Sequence, residues 1–256
     1  MAKLKAYSKV NLILKVHPKK TGENKHRIES LMVLHKPLYD EITIKPSSKL
    51  SVTYYVDNKI YRIKKCNITK AILYMRDKHG CPVKWSVVVN KNIPLQSGLG
   101  GSSTDAACVM NYLHSINKHS PLDYQDIAMN LGSDIPFFLS KYDKALVKGY
   151  GNVVSQYKKA TPNYKVIITN APSNTKQIYS ALTKDKCFHS QIQFMKLTGS
   201  LANLTSKQIY NDLEKYVIQV HPQLQKTLTK TKQGGICFFS GSGGSIIQLQ
   251  NGKNIS

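Results

Sequence analysis

Along the first sixteen residues, Leu4, Ala6, Ser8, Val10, Leu12, Leu14 and Val16 recur at every second position, with Lys5, Tyr7, Lys9, Asn11, Ile13 and Lys15 between them. Side chains alternate between the two faces of a strand, so this spacing predicts a strand and puts Lys9 and Asn11 on one face of it. Further strands are predicted at 41–45, 50–56 and 83–90, the last with Val83, Trp85, Val87 and Val89 on one side. Ala106, Val109, Met110, Leu113 and Ile116 follow a helical period instead, and a second helix is expected over 123–131. The stretch 151–165, GNVVSQYKKATPNYK, carries turn formers and a basic pair between two apolar-periodic regions and reads as a linker. Beyond it, KVIITNAP reads as a strand, NDLEKYVIQVHPQLQKTLTKTK as one or two helices broken at Pro222, and GICFFSGSGGSIIQLQ as a hairpin.

Composition narrows the class. A chain of 256 residues, 41% hydrophobic and 20% charged, can bury a core, and no run approaches the ~20 apolar residues of a membrane helix. The N-terminus lacks the unbroken apolar segment of a signal peptide, so a soluble, cytoplasmic protein is expected, with no membrane partner. The five cysteines are scattered and never form a Cys-x-x-Cys pair, and the eight histidines show no ligand spacing; neither a disulfide framework nor a protein-held transition metal is expected. The net charge of +23 raises the question of nucleic acid. Its distribution answers against it: lysines are spread throughout, and the only arginines are Arg27, Arg62 and Arg76, whereas base readout favours the guanidinium fork. Such a surface would still draw in small anions such as nucleotides.

Three places could carry chemistry. The loop NIPLQSGLGGSSTDAA follows a predicted strand and opens a predicted helix. The first N–H groups of a helix have no partner within it and carry partial positive charge, and glycines let a backbone close around phosphate oxygens. Glycine content alone does not separate such a nest from a flexible linker, and neither the Gly-Lys-Ser/Thr nor the Gly-x-Gly-x-x-Gly nucleotide motif is present. In LGSDIPFFL, Asp134 is a lone acid set among apolar residues, and a carboxylate so placed needs a partner or turn amides to bond. Lys9 is the third, on the face it shares with Asn11.

Taken in order, AYSKVNLILKV, PLYDEI, CNITKA, IPLQSGLGGSSTDAA, LGSDIPFF, NDLEKYV with Pro222, and FFSGSGGSII form a series. It resembles the 4-diphosphocytidyl-2-C-methyl-D-erythritol kinases of the GHMP superfamily over most of the chain. The resemblance implies an α+β, two-domain GHMP kinase fold: a ribosomal-protein-like domain over 1–155 that carries the phosphate loop, and a ferredoxin-like domain over 156–256, shortened at its end. It implies ATP-dependent phosphorylation of the 2-hydroxyl of 4-diphosphocytidyl-2-C-methyl-D-erythritol, a step in making isoprenoid precursors without mevalonate, with ATP and Mg2+ as cofactors. Lys9 and Asp134 match the catalytic pair, the aspartate facing the attacking hydroxyl and the lysine the γ-phosphate. Pro94, Leu95, Gln96, Ser97, Gly98, Leu99, Gly100, Gly101, Ser102, Ser103 and Thr104 match the phosphate loop, with Ser103 able to meet Mg2+. Asn67, Ile68 and Lys91 match residues that border the adenine, and the turn 240–244 would support the centre from the second domain. Asn11, His26 and Thr175 match polar substrate contacts, and Tyr179 an aromatic that stacks on cytosine.

Three departures stand out. ENKH replaces the family's Asp-Gly-Tyr-His, so Lys25 stands where a second stacking aromatic is usual. Ser102 replaces a loop glycine and is expected to narrow backbone freedom. The sequence ends at IIQLQNGKNIS, where relatives add a helix and a strand, so an open or paired sheet edge is expected. Two other readings follow: a GHMP-type kinase acting on another small alcohol, and a non-catalytic RNA-binding module.

Overall fold

The structure, a computed structural model, describes residues 1–61, 63, 66–116, 121–169, 171, 173–185, 188, 210–232 and 235–250. A seven-stranded sheet holds β1 (Ala2–Val16), β2 (Ile28–Pro46), β3 (Ser51–Val56), β4 (Lys59–Tyr61), β5 (Trp85–Lys91), β6 (Lys144–Gly149) and β7 (Val153–Gln156). Its order is β4-β3-β5-β2-β6-β7, with β1 paired to β2 off that path. Among the described strands the parallel pair is β3 with β5, joined by the crossover helix α1 (Asn67–His79), as parallel strands require. After β5 come α2 (Gly101–Ile116), α3 (Tyr124–Asn130) and α4 (Ile135–Leu139). A three-stranded sheet follows, ordered β8-β10-β9 from β8 (Tyr164–Ile167), β9 (Cys237–Phe239) and β10 (Ile246–Leu249). It packs with α5 (Thr175–Lys184), α6 (Glu214–Val220) and α7 (Gln223–Lys232), and Pro222 separates the last two. The whole is α+β.

β2 is far longer than the predicted 41–45, and two register shifts explain why its pattern was hidden. Tyr7 pairs with Tyr39 but Ser8 with His35, so residues 36–38 of β2 bulge out unpaired. Pro37, which has no N–H to give a ladder, lies in that bulge. The second shift leaves Leu12 without a partner, since Asn11 pairs with Met32 and Ile13 with Leu31. Every residue from Ser8 to Leu14 is buried, so Lys9 and Asn11 lie inside the protein where alternation alone would have left their face open. The stretch read as a linker also contributes structure: Val153 and Val154 pair with Lys148 and Val147 and complete the larger sheet.

α1 and α2 cover the larger sheet with Ile72, Met75, Val109 and Met110 against Ile42, Ile44, Val87 and Val89. A second cluster joins Leu14, Met32 and Val147 to Leu182, Val217, Leu228 and Phe239. α4 straddles the two: Ile135 and Leu139 enter the first cluster and Phe137 the second. Asp134, the residue before α4, is therefore held by packing from both sides. Among the described residues, no helix is long and apolar enough to cross a membrane. The expectations about the sheet edge beyond residue 250, about Arg62 and about Cys187 concern residues outside those described.

Candidate active site

Lys9 has 4% of its side chain exposed. Its ammonium donates to Asn11 Oδ1 at 2.5 Å and to the Gly98 carbonyl at 3.0 Å, and Asp134 Oδ2 lies 3.3 Å away. Asn11 is itself oriented, its Nδ2 donating to Ser30 Oγ at 2.8 Å while Ser30 donates to the Ile13 carbonyl. Asp134 occupies the N-cap position of α4 and makes no side-chain cap bond. A capping aspartate usually contributes about 0.5–2 kcal/mol. Here the carboxylate forgoes that bond and faces Lys9, with 29% of its side chain still open to solvent. The result is a positive centre, closed to water, beside a carboxylate that a ligand can reach.

The glycine loop leads from β5 into α2 and passes directly over this pair. Gln96, Gly98 and Gly100 have φ of 56°, 80° and 78°. Gly98 is needed on two counts, because a Cβ there would also collide with the Ser240 carbonyl and with Gly243. The turn 240–244 thus closes on the loop from the smaller sheet. Ser245 N donates to Ser97 O at 3.1 Å, Ser240 Oγ lies 3.3 Å from Gly98 O, and Ser173 N donates to Gln96 O at 2.9 Å. Leu99 and Thr104 have buried side chains, so only their backbone can meet a ligand, whereas Leu95 is exposed and Pro94 and Ser103 are partly so. Gly101 stands at the first position of α2, and Ser103 and Thr104 donate their N–H groups to Gly100 O. The expected constraint from Ser102 is corrected: it lies exposed in the first turn of α2 with no positive φ, so its Cβ costs the loop nothing.

Lys91 sits at the other end of the loop. Its ammonium is bonded to Asp40 Oδ2 and, at 2.8 Å, to Asp105 Oδ2. Asp40 Oδ1 also accepts the N–H groups of Asn92 and Ile93 at 2.6 and 2.8 Å. Burial, with the charge of Asp40 adding to it and Lys91 opposing, pushes Asp105 up to about 7. Of the residues expected at the adenine border, two have enclosed side chains, which leaves their backbone to face a base. Ile68 is wholly buried on the apolar face of α1, and the Lys91 ammonium is enclosed by carboxylates. Asn67 at the start of α1 is partly exposed. Asp40 and Asp105 went unnoticed in the sequence, although Asp105 is a lone acid in an alanine-rich helix, the same signal that singled out Asp134.

On the remaining side, Thr175, Tyr179 and Thr183 follow one another at i, i+4 and i+8 along α5. Thr175 Oγ1 lies 2.8 Å from Ser242 Oγ, tying α5 to the glycine turn. Burial raises the Tyr179 phenol, helped by the charges of Asp134 and Asp212. The His26 ring lies against Tyr179 with centroids 5.8 Å apart, its Nε2 2.9 Å from Thr183 Oγ1 and its Nδ1 2.9 Å from His17 O. Burial lowers the His26 pKa. Lys25 takes no part in stacking: its ammonium donates to Ala128 O and Met129 O in the last turn of α3, a favourable place for a cation.

A family model described as the GHMP kinases N-terminal domain matches residues 67–142, a span that includes the loop, α2 and Asp134. Over that span the chain is similar to the GHMP kinases. Together with the near-full-length relatives that follow, this match indicates an ATP-dependent small-molecule kinase. The chain is 29% identical to the 4-diphosphocytidyl-2-C-methyl-D-erythritol kinase of Ureaplasma parvum over 97% of its own length and 95% of the relative's. It is also 29% identical to the kinase of that name from Thermotoga maritima, over 96% and 90%. A crystal structure of 4-(cytidine 5'-diphospho)-2C-methyl-D-erythritol kinase superposes with a TM-score of 0.76 at 24% identity, covering 98% of this chain and 91% of that one. Phosphomevalonate kinase of Streptococcus pneumoniae shares the fold at a TM-score of 0.59 and 14% identity, covering 98% and 92%.

Proposed function

We propose that this protein is a GHMP kinase that transfers the γ-phosphoryl of ATP to the 2-hydroxyl of 4-diphosphocytidyl-2-C-methyl-D-erythritol. The observation that carries the reading is the Lys9–Asp134 pair, 3.3 Å apart beneath a glycine loop whose Gly98 carbonyl is bonded to the same lysine. Near-full-length likeness to kinases of that name supports the acceptor.

Asp134, open to solvent on one side, accepts the proton of the attacking hydroxyl and orients it. Lys9, shielded from water, offsets the charge that develops on the transferring phosphoryl, where a preorganised cation is worth most. Phosphoryl transfer has a loose transition state, so this positioning and charge placement outweigh basicity. The loop 94–104 holds the triphosphate with backbone N–H groups at the start of α2. Among the described residues no group of three His, Cys, Asp or Glu could hold a metal. This fits Mg2+, which prefers substrate phosphates and few protein ligands; Ser103 is the residue that would hold it, and bound there it neutralises phosphate charge. Asn67, with the backbone at Ile68 and Lys91, borders the adenine. Asn11, His26 and Thr175 line the acceptor's side. A base between two rings needs about 7 Å, twice an ordinary carbon contact. Tyr179 and His26 are closer than that, so cytosine stacks on the outer face of Tyr179.

A second reading, a different small alcohol as acceptor, is favoured by Lys25, which leaves the stacking site to cap α3. A panel of alcohols decides between them. ADP release is expected with 4-diphosphocytidyl-2-C-methyl-D-erythritol alone, and comparable turnover of an alcohol without cytidine would replace the first reading by the second.

A further inference from the structure

The segment Asn-Asp-Leu-Glu at 211–214 has no part in the chemistry above, yet it is bonded to two of the elements that build the centre. Leu14 N donates to Tyr210 O at 2.8 Å, Asp212 N to Leu14 O at 3.0 Å, and Val16 N to Asp212 Oδ2 at 2.8 Å. Residues 210–212 are thus strapped to β1 just past Lys9 and Asn11. Asn211 reaches from that strap to the glycine turn. Its Nδ2 donates to Phe239 O at 2.8 Å and to Gly241 O at 2.7 Å, while its Oδ1 accepts Leu213 N at 2.9 Å. Asn211 is 4% exposed, and both its N–H donors and its oxygen are engaged on opposite sides, so it has a single working orientation.

What Asn211 grips matters. A Cβ on Gly241 would lie 3.0 Å from Asn11 Oδ1 and 3.5 Å from Lys9 Nζ, and Gly241 has φ of 59°. Asn11 N donates to Ser240 Oγ at 3.3 Å, and Gly243 packs on Gly98. The turn therefore backs the catalytic lysine on one side and the phosphate loop on the other. Ser240 bonds β1 directly, and Asn211, on a segment strapped to β1, holds the backbone on either side of Ser240.

We propose that Asn211 is a positioning residue of the phosphoryl-transfer centre: by gripping the carbonyls of Phe239 and Gly241 it sets the distance between the turn, the Lys9 ammonium and the Gly98 end of the phosphate loop. The inference rests on the kinase reading above. Asn211→Asp tests it, since the carboxylate keeps the size and the acceptor for Leu213 N but turns an oxygen toward two carbonyls. Misplacement by about 1 Å can cost ~100-fold. kcat/KM for ATP is expected to fall by roughly 10–100-fold on that scale, with the alcohol KM little changed. The comparison variant is Leu228→Ala, which opens a cavity in the same region away from the turn. Assayed well below its melting temperature, it should keep wild-type kinetics despite losing stability. If Asn211→Asp does not fold, Asn211→Ala, which removes both donors without adding charge, gives the same comparison. Affinity for a fluorescent ATP analogue is read alongside and should weaken in the Asn211 variants only. Wild-type kinetics and nucleotide affinity in an Asn211 variant, or losses matched by Leu228→Ala, would overturn the proposal. A wild-type protein that releases no ADP with any alcohol contradicts the kinase reading instead, and the nucleotide affinities then decide on Asn211.

Discussion

Lys9 and Lys91 stand at either end of one glycine loop and are equally buried, each with 4% of its side chain exposed, yet their partners differ. Lys91 is enclosed by two carboxylates that are themselves buried, and the group as a whole ties the start of the loop to the start of α2. Lys9 meets one carboxylate, and that carboxylate is partly open. Its other partners are an amide oxygen and the loop's own carbonyl. Equal burial therefore does not mean equal purpose. The lysine whose charge is already answered from inside holds the loop, and the lysine whose counter-charge is accessible is the one the proposed mechanism assigns to the phosphoryl group.

Substituting each lysine by methionine, which keeps the stem and removes the charge, should separate these roles. Lys91→Met leaves Asp40 and Asp105 buried without their cation, and breaking one side of a buried pair typically costs about 3–5 kcal/mol. Denaturant unfolding should register that loss; an unchanged midpoint would remove Lys91 from its role. Lys9→Met should leave a chain that melts close to wild type but loses roughly 10²–10³ in kcat, the scale of removing one transition-state donor. Near-normal turnover in that variant would erase the contrast.

A smaller effect concerns pH. Asp105 is raised from its ordinary 3.8 to about 7, first of all by burial. In that interval the folded protein keeps a proton that the unfolded chain has released, so stability falls as pH rises from about 4 to about 7 and changes no further from this source above it. Asp105→Asn should flatten that slope, measured as melting temperature across the same range. A slope as steep as in wild type would place its origin elsewhere.

Some of this was legible in the residues and some was not. The period-two run put Lys9 and Asn11 together, and they are together, because alternation is a local property of a strand. That the pair is buried could not be read locally, since it depends on bulges whose register is set by the partner strand. β2 escaped notice past residues 41–45 because Pro37 and its neighbours interrupt the pattern at a bulge, where a missing N–H costs nothing. Asp134 stands out as a lone acid among apolar residues; Asp105 carries the same signal, masked by the helical period of its neighbours. Asn211 had no chemical signature, since its work is to hold backbone carbonyls that only the folded hairpin presents. Ser102 does not constrain the loop, because the left-handed positions fall at Gln96, Gly98 and Gly100, before the helix begins.

The central claim is that Asp134, paired with Lys9 under the loop, serves the attacking hydroxyl of a cytidine-linked alcohol. The direct measurement is ADP release by wild type and by Asp134→Asn, with ATP, Mg2+ and 4-diphosphocytidyl-2-C-methyl-D-erythritol. The account predicts turnover in the wild type only when that alcohol is present, and a drop of about 10²–10⁴-fold in the variant, the range for a positioned proton acceptor. An Asn variant with unchanged turnover would contradict the mechanism. No ADP with any alcohol, together with RNA binding that tightens steeply at low salt, would contradict the function itself.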